Sequence, residues 1–225
     1  MPVFCYILVA VGAYLLGSIP FGFLAAKARG IDIRTVGSGN IGATNAMRVL
    51  GKPVGVLVLL LDAAKGYVAC ACLPVWIFNQ FAAHASGMLV YFQAEPAELQ
   101  MRFYVLGGFF AVLGHNYTCW LKFKGGKGVA TTAGVFLALA PWALLIALAV
   151  FLLAVVVTRY ISVGSIAGAV ALPVAVWVMP PHNVLLGSVT TALGALAIYK
   201  HKSNIQRLLA GTENRFGKKP ETAAK

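Results

Sequence analysis

The stretch 129-VATTAGVFLALAPWALLIALAVFLLAVVV-157 decides what kind of protein this chain forms. It is longer than the roughly 20 apolar residues that one membrane-spanning helix needs, and it contains no charged side chain. The rest of the chain agrees with this pattern, because 60% of its 225 residues are apolar and only 11% are charged. Soluble domains average about 25% charged residues. The sequence therefore predicts an integral membrane protein.

The same stretch decides how often the chain crosses the membrane, because it forms either one long span or two short ones with a break near Pro141. Further apolar runs lie at 4–26, 53–78, 103–117, 163–179 and 184–199. Cytoplasmic segments of membrane proteins carry an excess of Lys and Arg. Two spans within 129–157 place the basic tail on the same side as the other basic loops, and one span does not. We therefore predict an all-α polytopic transmembrane helix bundle with about seven spans, some of them short, an outside N-terminus, a cytoplasmic C-terminus and a single domain over residues 1–225.

The formal net charge of +12 does not indicate a nucleic-acid-binding protein. The cations lie in the gaps between apolar runs, which is the usual distribution in membrane proteins. The N-terminal apolar run is not typical of a removable signal peptide, because Lys27 and Arg29 follow it and no cation precedes it. We expect membrane lipid, and no nucleic acid, among the partners of this protein.

The loop 36-VGSGNIGATNAMRVLGK-52 follows the first span and predicts a phosphate-binding site. Glycine adopts positive φ without a Cβ clash, so a glycine-rich loop can turn several backbone N–H groups toward one anion. A helix that begins near Thr44 would point its positive end at the same place. We call this part of the loop the phosphate cradle and assign to it Gly37, Ser38, Gly39, Asn40, Gly42, Thr44 and Asn45.

Two nucleotide-binding motifs overlap the cradle, and the sequence excludes both. Gly37, Gly39 and Gly42 spell G-x-G-x-x-G, but a dinucleotide site needs a βαβ unit, and here a membrane span comes first. A P-loop needs lysine where Ala43 stands. A plain flexible connector is the other interpretation. It would not need two hydroxyls, two amides and the cations Arg48 and Lys52 in so short a loop.

Two other polar segments, 114–132 and 200–217, are expected to converge with 36–52 on the cytoplasmic face. They carry His115, Lys127, His201 and Asn204. A site with many cations, hydroxyls and amides and few carboxylates suits phosphorylated anions. The sequence shows no metal ligand set, no carboxylate pair for glycoside chemistry and no G-x-S-x-G nucleophile motif.

The second span contains a pair of charged residues that allows two interpretations. Asp62 and Lys65 are three residues apart and therefore share a helix face within the second span. They are either functional or an ion pair that fixes helix packing.

In the tail, Ser203 and Gln206 have capping-box spacing and Gly211 suits a helix end, which predicts a short amphipathic helix at the inner surface.

The three polar segments resemble the signature segments of the bacterial acyl-phosphate:glycerol-3-phosphate acyltransferases. The matching residues are 37-GSGNIGATNAMRVLGK-52, 114-GHNYTCWLKFKGGKGVAT-131 and 201-HKSNIQRLLAGTEN-214, in the family's order, with 60-LLDAAKG-66 and the span count in agreement. Thr118 and Cys119 depart from the family pattern, which often has Pro and a small apolar residue there.

The resemblance implies a bacterial inner-membrane enzyme with its active site on the cytoplasmic face. Such enzymes transfer a fatty acyl group from acyl-phosphate to the 1-hydroxyl of glycerol 3-phosphate, giving lysophosphatidic acid and phosphate as the first step of phospholipid synthesis. The resemblance further implies no cofactor, no metal and a functional link to an enzyme that produces acyl-phosphate. By position it assigns catalysis and glycerol-3-phosphate binding to Ser38, Arg48, Lys127, His201 and Asn204.

The residues offer two side-chain candidates for the group that removes the proton from the attacking hydroxyl. His115 or His201 could act near neutral pH. We favour substrate assistance, in which a phosphate oxygen of the donor takes the proton.

A small transporter or flippase for an organic phosphate is the alternative from another functional class. Gly- and Pro-broken spans and the charged pair Asp62 and Lys65 within a span would suit it. The polar residues gather in segments of one side, however, and the sequence shows no internal repeat.

Overall fold

The computed structural model describes residues 2–82, 96–180 and 182–217, and all regular secondary structure in these ranges is helical. This confirms the predicted all-α class. The chain divides into two compact units, residues 1–141 and residues 142–225. The helices of the first unit are α1 (Pro2–Ser18), α2 (Phe21–Lys27), α3 (Ala43–Leu50), α4 (Lys52–Tyr67), α5 (Leu73–Ala82), α6 (Pro96–Asn116) and α7 (Val129–Leu139). The helices that follow are α8 (Pro141–Thr158), α9 (Ile161–Val178), α10 (Val184–Lys200) and α11 (Lys202–Leu209).

Helices α1 and α6 approach closely because glycines stand where their backbones meet. A Cβ atom on Gly17 would lie 2.1 Å from the carbonyl oxygen of Ala111, and one on Gly114 would lie 2.2 Å from that of Tyr14. Small residues at a helix interface permit such contacts within a membrane. Helix α1 therefore holds the end of α6, where His115 and Asn116 lie.

The first predicted span is interrupted between α1 and α2. Pro20 has no backbone N–H, so the helix that ends at Ser18 cannot continue through it unchanged. The carbonyl oxygen of Ile19 accepts a 2.7 Å hydrogen bond from Nζ of Lys65. A backbone group at the break is thus bonded to a charged side chain of α4.

Helix α4 packs against α7 through two further glycines. A Cβ atom on Gly66 would lie 2.2 Å from the carbonyl oxygen of Thr131, and one on Gly134 would lie 1.8 Å from that of Ala63. Beyond Tyr67 the helix passes through a π-helical turn, Val68–Cys72, into α5. These contacts bring the start of α7 against residues 63–66.

The second unit contains helices α8 to α11 and a segment that follows them. Asn183 caps α10, because its Oδ1 accepts a 2.8 Å hydrogen bond from the backbone N–H of Leu186. The chain bends by 51° between α10 and α11. Helix α11 ends at Leu209, two residues before Gly211, whose φ of +69° suits glycine, and Thr212 N–H bonds back to the carbonyl of Arg207.

Among the described residues, four helical segments are long and apolar enough to cross a membrane, and a fifth qualifies if the bent pair α10 and α11 counts as one. The four are Val3–Lys27, Lys52–Gln80, Pro141–Thr158 and Ile161–Val178. They agree with four of the predicted apolar runs, but they do not confirm a total of seven spans.

The predicted break near Pro141 is confirmed, because α7 ends at Leu139 and α8 begins at Pro141. The expectation that both pieces would be short is wrong for α8, whose 18 residues suffice for a span. Helix α7 has 11 residues, or about 16 Å at 1.5 Å per residue, and is shorter than the hydrocarbon layer of a bilayer.

Two predicted boundaries are wrong. Helix α6 begins at Pro96, ahead of the predicted start at Phe103. Helix α11 begins at Lys202 with His201 in the N-cap position, so Ser203 lies inside the helix and forms no capping box. The amphipathic helix itself and its end near Gly211 are confirmed.

Candidate functional site

The phosphate cradle has the backbone geometry that its glycines predict. Gly37 has a φ of +61° and Gly39 a φ of +68°, in the left-handed region where side chains are strained. Gly42 differs, because it is extended, with a φ of −80°, and forms the N-cap of α3. Its N–H donates a 2.8 Å hydrogen bond to Oδ1 of Asn40. The cradle thus runs from two left-handed turns into the positive end of an eight-residue helix.

The side chain of Asn45 holds the backbone of the cradle through hydrogen bonds. Its Oδ1 accepts a 2.8 Å hydrogen bond from the backbone N–H of Ser38. Its Nδ2 donates to the carbonyl oxygens of Asn40 at 2.9 Å, Val36 at 3.1 Å and Ile33 at 3.3 Å. The side chain is buried, with 1% exposure. We assigned Asn45 to phosphate binding from sequence, but these bonds direct its amide to the loop backbone.

The two hydroxyls of the cradle have a different environment. Ser38 and Thr44 are half-buried. Within residues 2–82, 96–180 and 182–217, neither hydroxyl hydrogen-bonds to another part of the protein. Hydroxyl groups in this state suit hydrogen bonds to a ligand.

Two cations lie at the end of α3. Arg48 is exposed in the last turn of α3, and Arg29 donates a 2.8 Å hydrogen bond to the carbonyl of Leu50 at the end of that helix.

An apolar cluster joins the segment 36–52 to the segment 114–132. Leu121 is buried among residues of the first segment, including Ile41, Ala46 and Leu50. The structure therefore brings two of the three polar segments together within the first unit. The third, 200–217, belongs to the second unit.

Lys127 lies on a glycine turn that packs against His115. The N–H groups of Gly125 and Gly126 donate hydrogen bonds of 3.2 Å and 3.0 Å to the carbonyls of Asn116 and His115. A Cβ atom on Gly126 would lie 2.2 Å from Nε2 of His115. Lys127 itself is half-buried, between this turn and the start of α7.

Asp62, Lys65 and His115 form one buried cluster. Nζ of Lys65 lies 2.7 Å from Oδ1 of Asp62, and Nδ1 of His115 lies 3.6 Å from the same oxygen. The ion pair between Asp62 and Lys65 agrees with their predicted helix face. The contact with His115 joins α4 to α6 and is not evident from the sequence.

In the second unit, Glu213 is the centre of a hydrogen-bond network. Its Oε1 accepts bonds from Nδ2 of Asn204 at 2.7 Å and from the hydroxyl of Ser162 at 2.9 Å, and its Oε2 accepts one from Nε of Arg207 at 2.7 Å. Burial alone would raise the pKa of Glu213, but the bonds from Asn204, Arg207 and Ser162 outweigh it and lower the pKa below its ordinary value.

His201 is buried in the same unit, with 2% exposure. Its Nδ1 lies 2.7 Å from the carbonyl oxygen of Ala197. Because a carbonyl oxygen only accepts, this contact assigns the proton of the neutral ring to Nδ1 and makes Nε2 its acceptor. His201 and Asn204 both lie at the start of α11, His201 at its N-cap and Asn204 in its first turn.

Sequence reasoning missed Glu213 and Ser162. One signal was present, since Glu213 is the only carboxylate residue of the segment 200–217 among several cations. A lone acid there predicts a partner, but its partner on α9 lies 51 residues away in the chain. From sequence we expect Lys218, Lys219 and Lys225 to contribute only charge at the membrane surface, and these three residues lie outside the described residues.

Known proteins share both the sequence and the fold of this chain. Residues 7–211 match the family model of glycerol-3-phosphate acyltransferase. A glycerol-3-phosphate acyltransferase of Geobacter metallireducens is 52% identical, over 93% of this chain and 97% of the relative. One of Trichlorobacter lovleyi is 49% identical, over 91% of this chain and 94% of the relative.

Two crystal structures of PlsY (YgiH), an integral membrane glycerol 3-phosphate acyltransferase, match the fold. The glycerol 3-phosphate form superposes with a TM-score of 0.79 at 38% identity, covering 94% of this chain and 96% of that one. The lysophosphatidic acid form superposes with a TM-score of 0.76 at 37% identity, covering 94% and 95%.

Proposed function

Because this chain belongs to the glycerol-3-phosphate acyltransferase family, we propose that it transfers a fatty acyl group from acyl-phosphate to the 1-hydroxyl of glycerol 3-phosphate. The products are lysophosphatidic acid and inorganic phosphate. The family relationship supports acylation of glycerol 3-phosphate, and the choice of acyl-phosphate as donor is the finer part of the proposal.

The phosphate cradle is the observation that carries the donor assignment. Gly37 and Gly39 are left-handed, the N-terminus of α3 follows, and the hydroxyls of Ser38 and Thr44 lie beside them. This arrangement suits the phosphate group that acyl-phosphate carries on its acyl carbon. The thioester of acyl-CoA has no phosphate at that carbon. The sequence also lacks the H-x-x-x-x-D pair of acyl-CoA-dependent glycerol-phosphate acyltransferases after any of its four histidines.

The proposed reaction is a direct displacement. The 1-hydroxyl oxygen of glycerol 3-phosphate attacks the acyl carbonyl carbon and forms the new ester bond. The bond between that carbon and the phosphate oxygen breaks, and phosphate leaves with the electron pair. The hydroxyl proton passes to an oxygen of the departing phosphate, so that no protein base is required.

Five residues are assigned to glycerol-3-phosphate binding and to catalysis. Arg48 and Lys127 contribute cations that hold phosphate and stabilise the charge on the leaving group. Ser38 offers a hydroxyl at the edge of the cradle. His201 has an imidazole that the Ala197 carbonyl orients through Nδ1, and Asn204 has an amide that Glu213 orients. Positioning two anions for attack is the larger part of the catalytic task.

The environment of His115 favours substrate assistance over proton transfer by this residue. Its Nδ1 faces Asp62 and its Nε2 faces the backbone of Gly126, so both ring nitrogens are directed at the protein. A general base must come within hydrogen-bond reach of the proton that it removes. We therefore place His115 behind Lys127 rather than beside the reacting atoms.

The protein is a multi-pass membrane protein, and its orientation belongs to the proposal. We place the N-terminus outside, the C-terminus and the site on the cytoplasmic face of the bacterial inner membrane, and about seven spans in a single functional domain. The distribution of Lys and Arg supports this orientation. The acyl chain of the donor would lie among the apolar helices, and the enzyme that makes acyl-phosphate is the expected functional partner.

The transporter alternative draws on the same cationic segments. The charged pair Asp62 and Lys65 within a span and the break between α1 and α2 are the features that would suit transport. Family membership over residues 7–211 favours acyl transfer, because that match covers all three polar segments down to Gly211.

The decisive experiment uses the detergent-purified protein with palmitoyl-phosphate and glycerol 3-phosphate. We expect lysophosphatidic acid and phosphate to form in equal amounts, and Arg48→Ala to abolish most of both. Palmitoyl-CoA in place of palmitoyl-phosphate is expected to give no product. Comparable turnover with palmitoyl-CoA would overturn the donor assignment, and absence of product with both donors would overturn acyl transfer.

A further inference from the structure

The cluster of Asp62, Lys65 and His115 has no part in the reaction just described, although His115 packs against the turn that precedes Lys127. We call it the Asp62 cluster. The carboxylate of Asp62 lies between two partners, Nζ of Lys65 at 2.7 Å and Nδ1 of His115 at 3.6 Å. All three residues are buried, with exposures of 2%, 6% and 5%.

Helix packing alone does not account for the cluster. Charged groups in the interior of a membrane protein are costly, and a buried ion pair is often no more stabilising than apolar residues of the same volume. The neighbouring contacts of α4 with α7 and of α1 with α6 already use glycines at close approach. The retained charges therefore point to a role in placing other groups.

His115 is the link between Asp62 and the turn before Lys127. The backbone N–H of Gly126 donates a 3.0 Å hydrogen bond to the His115 carbonyl, and Nε2 of His115 lies against Cα of Gly126 with no room for a Cβ. The Nε2 edge of the ring thus limits the turn, while Nδ1 lies 3.6 Å from Oδ1 of Asp62, near enough for the carboxylate charge to act on the ring but beyond hydrogen-bond distance. A shift of the ring would displace the turn and, with it, Lys127.

Helix α4 also restricts the position of the Gly125–Gly126 turn, because it packs against α7, the helix that follows the turn. The turn leads into α7 at Val129, and α7 contacts α4 at Gly66 and Ala63. Asp62 and Lys65 lie on the same stretch of α4. Lys65 in turn donates to the carbonyl of Ile19 at the break between α1 and α2. The Asp62 cluster therefore joins α4, α6 and the break between α1 and α2, next to the turn that precedes Lys127.

We propose that Asp62 is a positioning residue for glycerol 3-phosphate, acting through His115 on the Gly125–Gly126 turn that presents Lys127. The proposal rests on the function proposed above, in which Lys127 binds glycerol 3-phosphate. Asp62 touches neither substrate. Its loss weakens binding of the acceptor because Lys127 is no longer held at the correct distance.

The test measures KM for each substrate in wild-type protein, Asp62→Asn and the double variant Asp62→Asn/Lys65→Met. The double variant removes both buried charges, so it remains informative where the single variant leaves an unpartnered ammonium and fails to fold. We expect KM for glycerol 3-phosphate to rise on the order of tenfold and KM for palmitoyl-phosphate to change less than about twofold. Partial unfolding would instead lower the amount of active enzyme and leave both KM values unchanged.

Coupling to His115 is tested by repeating the double substitution in a His115→Ala background. If Asp62 acts through His115, the double substitution has no further effect on KM for glycerol 3-phosphate in the His115→Ala background. Ser18→Ala, which removes a buried 3.3 Å hydrogen bond to Gly114 near the same helix end, is the matched control and is expected to leave both KM values unchanged.

Three results would overturn the inference while leaving the proposed function intact. They are equal changes in both KM values, an unreduced effect in the His115→Ala background, and a Ser18→Ala variant that matches the Asp62 variants. A wild-type protein that forms no lysophosphatidic acid would overturn the function and the inference together.

Discussion

Asn204 and Glu213 are joined by a 2.7 Å hydrogen bond in which the side-chain amide of Asn204 donates to the carboxylate. Ser162 donates to the same carboxylate oxygen and Arg207 to the other. An ionised carboxylate only accepts, so Glu213 fixes which end of the Asn204 amide faces it. One buried acid thus connects α9, α11 and the segment after α11, and it orients a residue assigned to glycerol 3-phosphate.

Glu213→Gln is expected to destabilise the protein. Glutamine loses the charge and places an amide N–H₂ against groups that themselves donate, so at least one charge-assisted hydrogen bond is lost, at a cost of roughly 1.5–3 kcal/mol. Thermal unfolding in detergent should show a lower Tm. Asn214→Ala, at the neighbouring exposed position, is the control and should change stability by less than about 0.5 kcal/mol. Equal losses in the two variants would contradict the role of the carboxylate.

The advantage of wild type over Glu213→Gln should depend on pH. The folded-state pKa of Glu213 lies below its ordinary value of 4.5. A lowered carboxylate pKa contributes stability that is fully present above the unfolded-state pKa and is lost as pH falls through the folded-state pKa. The difference in Tm should therefore be constant from neutral pH to about pH 5 and shrink below about pH 4.5. A difference that stays constant down to pH 3 would be inconsistent with this linkage.

Asn45→Ala should disable the phosphate cradle without unfolding the helices around it. The substitution removes the acceptor of the Ser38 N–H and the donor to the carbonyls of Asn40, Val36 and Ile33. We expect KM for palmitoyl-phosphate to rise and kcat/KM to fall on the order of a hundredfold, as for loss of two or more hydrogen bonds.

Thr35→Ala provides the control for Asn45→Ala. It removes an exposed hydrogen bond to the carbonyl of Asp32 in the same loop and should leave activity nearly unchanged. If both variants lose activity to the same degree, the loop is sensitive in general and Asn45 has no special role.

Arg48→Ala and Lys127→Ala should each lower kcat/KM by ten- to a hundredfold or more, because a charge-assisted contact to phosphate contributes roughly 1.5–3 kcal/mol. The matched controls are Lys52→Ala and Lys124→Ala, exposed cations in the same two segments. They should retain near wild-type kinetics. Equal effects at all four positions would mean that the protein needs only a basic surface.

The proposed orientation predicts labelling of single cysteines from one side only. Positions 52, 124 and 219 should react from the cytoplasmic side and position 95 from outside, in a background without native cysteines. Positions 95 and 219 lie outside the described residues, so they serve here only as sequence markers. Reaction of position 219 from outside would exclude the predicted cytoplasmic C-terminus.

The sequence alone determined the class of the protein, the family and much of the local geometry. Long uncharged runs predict helices in a membrane, and Pro141 predicts the break between α7 and α8 because proline lacks the N–H that a continuing helix needs. The left-handed turns at Gly37 and Gly39 follow from the same kind of local steric rule. Such preferences involve only neighbouring residues, and they can therefore be recognised in order along the chain.

The tertiary structure decided which polar groups meet. Asp62 contacts His115, 53 positions further along the chain, and Ser162 contacts Glu213, although neither spacing has a local pattern. The fold also directs the side-chain amide of Asn45 to the loop backbone, where the sequence predicts a contact with phosphate. These partners depend on which helices pack together, and that packing is the sum of many weak contacts between distant residues, which a local pattern does not encode.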